Sequence, residues 1–269
     1  MKQFFSLLFM GLVSAFVFFA CKKDEPQGFT NKVSDDVLSQ ISSMGFSTEG
    51  VQAMDGGYLV EGDIFITPDQ LGQKFSGPKL IIAKEEQYRT TNLVTALPRT
   101  ITVSIDSRLA KKAGYAQALQ EMVNRYNALN LQITFQVVSS GATVSFVNGS
   151  GSFLASAGFP TSTGNPHNQV KVNSTAIGTG TSSSFINYLA TILAHELGHC
   201  IGFRHTDYMN RAYSCGGSAT NEGASTVGAI LIPGTPSGPD AGSWMLACIG
   251  SGQNRPFNNN DKTALGYLY

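Results

Sequence analysis

The stretch "HELGHCIGFRH", residues 195–205, constrains this chain more than any other. His195 and His199 are four residues apart, so on an α-helix they share one face and their rings can converge on one ion. The preceding "FINYLATILA" (185–194) is apolar and free of Gly and Pro, which predicts a buried helix running into the motif. Gly202 then offers the left-handed conformation that ends a helix, and the chain can turn back to bring His205 to the same ion. Three neutral imidazoles leave the fourth position of a tetrahedral zinc open, as in catalytic sites. Glu196 lies next to His195 and can face that position, where it can take a proton from water. A purely structural zinc would be closed by a fourth protein ligand and would have no use for Glu196.

Charge and its distribution exclude other classes. The formal net charge is zero and only 13% of residues are charged, so nothing suggests a nucleic-acid partner. From 141 to 269 the only acidic residues are Glu196, Asp207, Glu222, Asp240 and Asp261. With carboxylates this sparse, one inside the His cluster is a placed group rather than helix-surface decoration. The fourth histidine, His167 in "NPHNQV", has no partner at ligand spacing and is expected on a surface loop.

The start of the chain reads as a targeting segment. Lys2 precedes the apolar run "FFSLLFMGLVSAFVFFA" (4–20), and Cys21 with "KKDEP" follows at once. The Ala20–Cys21 junction resembles a bacterial lipobox. That implies a signal peptide over 1–20, lipidation of Cys21 and a polar tether over 21–33. The expected setting is extracytoplasmic, on a bacterial cell envelope, with a lipid anchor in the outer membrane. An uncleaved anchor is the other reading, since the run is about long enough to span a bilayer.

After the tether, "SDDVLSQISSMGF" (34–46) predicts a short helix with Ser34 as its N-cap. "GGYLVEGDIFITPDQL" (56–71) predicts a strand or hairpin. So short a region holds little core and must lean on its neighbour. The polar "AKEEQYRTTN" (83–92) reads as a linker, so residues 34–92 form a small N-terminal region and 93–269 the catalytic domain. The latter opens with a strand, "RTITVSID" (99–106), and an amphipathic helix, "GYAQALQEMVNRYNAL" (114–129). Strands follow at "LQITFQVV" (131–138), "ATVSFVN" (142–148) and "QVKVN" (169–173), with "FLASAGFP" (153–160) as the candidate edge strand. Residues 203–256 have little periodicity, and a helix is expected near 260–268.

"HELGHCIGFRH" resembles the long zinc motif of the metzincin metalloendopeptidases. With "TDY" (206–208), "IPGTP" (232–236), "SWM" (243–245) and "FNNNDKTALGYLY" (257–269), the chain resembles the dual-action HEIGH metallopeptidases, the protease B family. Leu197 stands where that family's short motif has Ile. The resemblance implies an α+β, metzincin-like fold. It has a twisted mixed sheet, two long helices of which one carries the motif, an irregular lower half with a Met-turn, and a C-terminal helix. It implies Zn2+ on His195, His199 and His205, with Glu196 as general base. A protein or peptide substrate would lie extended along the edge strand, and the enzyme is expected to be a monomer. Met245, in "GSWM", takes the place of the methionine that packs beneath the histidines. Some metzincins place a Tyr shortly after that Met; here Leu246 and Ala247 follow, so such a helper is missing or comes from elsewhere, such as Tyr208 or Tyr213. Asp207 is a candidate acceptor for a ligand histidine or for Arg204. The alternative is a catalytically silent surface adhesin or glycan-binding lipoprotein on the same fold.

Cys200, Cys215 and Cys248 remain after Cys21 and allow one bridge with three pairings. Cys215 and Cys248 flank the loop that holds the Met-turn and are the favoured pair, leaving Cys200 as a buried apolar residue. Finally, "LVEGDI" (59–64) resembles the F-E-G-D-I stretch of astacin prosegments, with Val60 in place of Phe. That implies an inhibitory prosegment from 22 to about 90, with Asp63 as the latch on the zinc and Arg89 as a cleavage point. A plain turn or bulge at Gly62–Asp63 is the other reading.

Overall fold

The computed structural model describes residues 32–71, 87–222, 228–236 and 239–269. The leader over 1–20, Cys21 and most of the tether lie outside the described residues. Among the described residues, no helix is long and apolar enough to cross a membrane.

Ser34 caps helix α1 (Asp35–Ser43) by accepting from the Val37 amide. Strands β1 (Gln52–Met54), β2 (Gly57–Val60) and β3 (Ile64–Ile66) follow as an antiparallel meander, and α2 (Pro68–Leu71) ends this region. Its apolar cluster includes Ile41, Met44, Phe46, Val60 and Ile64, and it closes on Phe159 from much later in the chain. The region thus completes its small core against the larger unit, as its size requires.

The described part of the expected linker is not open. Gln87 is fully buried, and its amide donates to Asp261 and Ser243. Strand β4 (Tyr88–Arg89) pairs antiparallel with the last strand, β10 (Ile230–Leu231). Tyr88 O accepts from the Arg204 amide, and the Thr90 amide donates to Gly202 O. Residues 87–90 are therefore stitched to the segment that carries the histidines.

The main sheet is built from β5 (Arg99–Ile105), β6 (Ile133–Val137), β7 (Val144–Asn148), β8 (Ala155–Ser156) and β9 (Gln169–Val172), in the order β6-β5-β7-β9-β8. The first four run parallel, and β8 lies antiparallel at the edge. Short helices α3 (Ser107–Ala110) and α5 (Ser174–Ile177) serve as connections. The long helices α4 (Tyr115–Asn127) and α6 (Ser183–Cys200) pack on each other and share one core with the sheet. Alternation in β5 buries Ile101 and Val103, and the 3.6-residue period of α4 buries Ala118, Leu119, Met122 and Tyr126. Helix α6 is capped by Ser182 and is buried all round from Tyr188 to Cys200, as its continuous apolar run predicts.

Gly202 ends that helix with φ 109°, and a Cβ there would meet Leu93 at 2.7 Å. The Phe203 amide donates back to Gly198 O, and the chain reverses toward His205. The lower part has little regular structure apart from α7 (Ala212–Cys215) and α8 (Asn259–Leu268). Cys215 is bonded to Cys248, and Cys200 is a buried free thiol. A capping box between Asn258 and Asp261 starts α8. Asp261 also accepts from Ser243 Oγ and the Trp244 amide, so this helix holds the loop containing Met245.

Candidate metal centre

The helix and its reversal bring three imidazoles together. His199 Nε2 lies 3.1 Å from His195 Nε2 and 3.2 Å from His205 Nε2. His199 and His205 are fully buried, and His195 is nearly so. Each Nδ1 faces an acceptor: Trp244 O at 2.9 Å from His195, Phe203 O at 2.8 Å from His199, and Glu222 Oε1 at 2.8 Å from His205. With Nδ1 donating in each ring, the three Nε2 atoms are free to offer lone pairs to a common cation. A cation reconciles that arrangement. Zinc–nitrogen bonds of about 2.0–2.1 Å in a tetrahedron put ligand atoms about 3.3 Å apart. The site fits zinc.

A fourth candidate ligand atom comes from the N-terminal region. Asp63 Oδ2 stands 3.0 Å from His205 Nε2 and 3.5 Å from His195 Nε2. Asp63 and the three histidines form one group able to hold a metal ion. The main chain supports this placement. The Ala157 amide donates to Asp63 O, and the Phe65 amide donates to Ala157 O, a parallel bridge onto the end of the edge strand. Gly62 has φ 89°, a conformation that favours glycine, at the bend that aims Asp63 inward.

Around the ligand atoms the packing is close. A Cβ on Gly198 would meet the Met245 sulfur at 2.6 Å, so the small residue in the motif makes room for the methionine. Met245 is fully buried, and its carbonyl accepts from the Thr206 amide next to His205. Phe159 stands edge-on to the His199 ring, with centroids 5.5 Å apart. His167 is no part of the cluster; it is half-buried against Gly158, and burial pushes its pKa down to about 4.

Two carboxylates here were given no role by the sequence. Glu222 accepts from His205 Nδ1 and from Arg211 Nη1, both at 2.8 Å, and lies 3.6 Å from Arg204 Nη2. Burial raises its pKa, but His205, Arg204 and Arg211 outweigh that and hold it down at about 2. Glu61 reaches Arg204 Nη2 at 3.3 Å, and its backbone oxygen accepts from Arg211. Burial first, and then the charge of Glu222, push the Glu61 carboxyl well up. Asp207 does not fill the role expected of it. It accepts from Ser214 Oγ and the Ala247 amide and so pins the loop beyond Met245. Neither tyrosine stands in for the missing helper: the Tyr213 hydroxyl donates to Pro239 O, and Tyr208 packs edge-on against Tyr88.

Removing the Glu222 charge should weaken metal binding, because a carboxylate behind an imidazole raises its basicity. Glu222→Gln is expected to lose about 10–100-fold in zinc affinity in a chelator competition. An unchanged affinity would leave Glu222 with only a structural part.

Glu196 is also buried, and its Oε2 has no hydrogen-bond partner among the described residues. Burial, and then the charge of Asp63, hold its carboxyl well above the usual carboxylate range. With His195 it forms one wall of a cavity of about 320 Å³.

A family model for dual-action HEIGH metallo-peptidases matches residues 58–269, which include Asp63, Glu196 and all three clustered histidines. No curated protein matches the sequence. Two solved structures of myroilysin are similar. One is 16% identical, with 66% of this chain and 95% of that chain covered and a TM-score of 0.40; the other is 15% identical, with 77% and 98% covered and a TM-score of 0.41. Three converging imidazoles that fit zinc lie within a family match spanning most of the sequence, and the chain therefore belongs to the dual-action HEIGH metallo-peptidases, as a zinc metallopeptidase.

Proposed function

We propose that the protein is an endopeptidase acting on extracellular proteins, with His195, His199 and His205 as the zinc ligands and Glu196 as general base. The observation that carries this reading is Glu196 lining the cavity beside His195, with its Oε2 unpartnered among the described residues. Zinc in this site supplies Lewis acidity, polarising a carbonyl and lowering the pKa of water. Glu196 takes the proton of the attacking water and hands it to the departing amine. Met245 and Trp244 hold the histidines from below, and the edge strand around Ala155–Ala157 offers main-chain bonds to an extended peptide.

The N-terminal region is proposed as an inhibitory prosegment. Asp63 takes the remaining ligand position, and residues 63–65 take the main-chain bonds of Ala157 that an extended peptide would use. Processing belongs upstream of Gln87, because a cut at Arg89 would break β4 beneath the histidine loop. Residues 72–86 include Lys74, Lys79 and Lys84. Export through the leader and anchoring through Cys21 complete the proposal, with the mature enzyme on the cell envelope.

The test is a peptide-library screen of the zinc-loaded full chain. Cleavage within peptides should stop on chelation and return with zinc. A zinc-replete protein that cleaves nothing, even after limited proteolysis, would favour the silent-adhesin alternative.

A further inference from the structure

Beside Glu196 the cavity has apolar walls from Leu154, Ile192 and Ile249, but two arginines, Arg211 and Arg255, also line it. Arg211 is paired with Glu222. Arg255 has no carboxylate within ion-pair distance among the described residues. Its Nη1 donates to Cys248 O at 2.8 Å and its Nη2 to Gln253 Oε1 at 3.3 Å, which uses two of five N–H donors. The residue is held firmly in place. Its backbone amide donates to Thr191 Oγ1, which also accepts from Arg125 Nη1. Thr191 lies one turn before His195 on α6, so the anchor and the histidine share a helix face.

We infer that Arg255, assisted by Arg211, makes this cavity select an acidic side chain on the substrate residue that follows the cleaved bond. The inference rests on the peptidase reading. Glu196 hands its proton to the leaving amine, so the residue carrying that amine lies on the Glu196 side of the histidines. Its side chain then enters the cavity that Glu196 lines. An aspartate or glutamate there meets a guanidinium with free donors between apolar walls, where a charge-assisted pair is strong.

The charges of the N-terminal region point the same way. Asp63 brings a carboxylate to a region that holds Arg211 beside Glu222 and Arg255 within reach of the Asp207 charge. Asp63 itself lines the cavity, and the Glu61 carbonyl accepts from Arg211. When these residues leave, the cavity keeps Arg211 and Arg255 and loses the Asp63 carboxylate. A substrate bearing an acidic side chain replaces it.

The test compares peptides that differ only in the residue after the cut: Asp against Asn, and Glu against Gln. The zinc-loaded full chain and its Asp63→Ala variant are both assayed, with products mapped by mass spectrometry. The acidic member of each pair should be cleaved with kcat/KM higher by about tenfold or more. Arg255→Met should bring that ratio close to one, and Arg255→Glu should turn the preference toward Lys. A residue serving only to cap Cys248 O would leave the ratio unchanged. Cleavage with no acid–amide difference, or a difference that survives Arg255→Met, overturns this inference and leaves the peptidase reading intact. Absence of cleavage of every peptide overturns both. Should Arg255→Glu fail to fold, the wild-type ratio and the Arg255→Met ratio still decide.

Discussion

Asp63→Ala is expected to raise the peptidase activity of the full-length protein by about 10- to 100-fold. That range corresponds to losing one charge-assisted contact of about 1.5–3 kcal/mol. Asp63 Oδ2 sits against His205 and His195 on the side where a ligand position is left by the three imidazoles. Its carboxyl is held well below the usual carboxylate range, with the charge of His205 and the bonds to both histidines outweighing burial. The substitution leaves other restraints in place. The main-chain bonds to Ala157 remain, and so does the apolar cluster that includes Phe159. The variant should therefore be more active than the wild type but less active than protein cut upstream of Gln87. Activity equal to wild type in a hydrolysis assay would reduce the N-terminal region to an accessory domain.

The parts of this site that were legible in the sequence are those set by short-range periodicity. The i, i+4 spacing of His195 and His199 needs only a helix, and the apolar run before them supplies one. Gly202 signals the reversal that delivers His205. The strands of the main sheet alternate in hydrophobicity and were readable for the same reason. Glu222 was not readable. It lies 17 residues beyond His205 in a stretch without periodicity, and only the folded loop brings it to Nδ1. Glu61 stood in the quoted "LVEGDI", but its pairing was not readable: its partner Arg204 is 143 residues distant. Arg255 and Gln87 looked like ordinary polar residues in Asn- and Gln-containing stretches. Their positions depend on tertiary contacts with Thr191 and Asp261. A polar composition suggested a linker at 83–92, yet a buried hydrogen-bond network around Asp261 outweighs that local tendency at its end.

The account turns on separating metal binding from proton transfer. His199 Nε2 is the ring nitrogen within 3.2 Å of both other histidines, so His199→Ala should lose zinc and activity together. Glu196 has no place among the clustered ligand atoms, and it lines the cavity beside His195. The decisive measurement is zinc content and turnover of Glu196→Gln side by side with wild type, both after removal of the N-terminal restraint. The variant should retain one zinc per chain and lose about 10²–10⁴-fold in kcat, because only the proton carrier is gone. Near-normal turnover by zinc-loaded Glu196→Gln would contradict the mechanism.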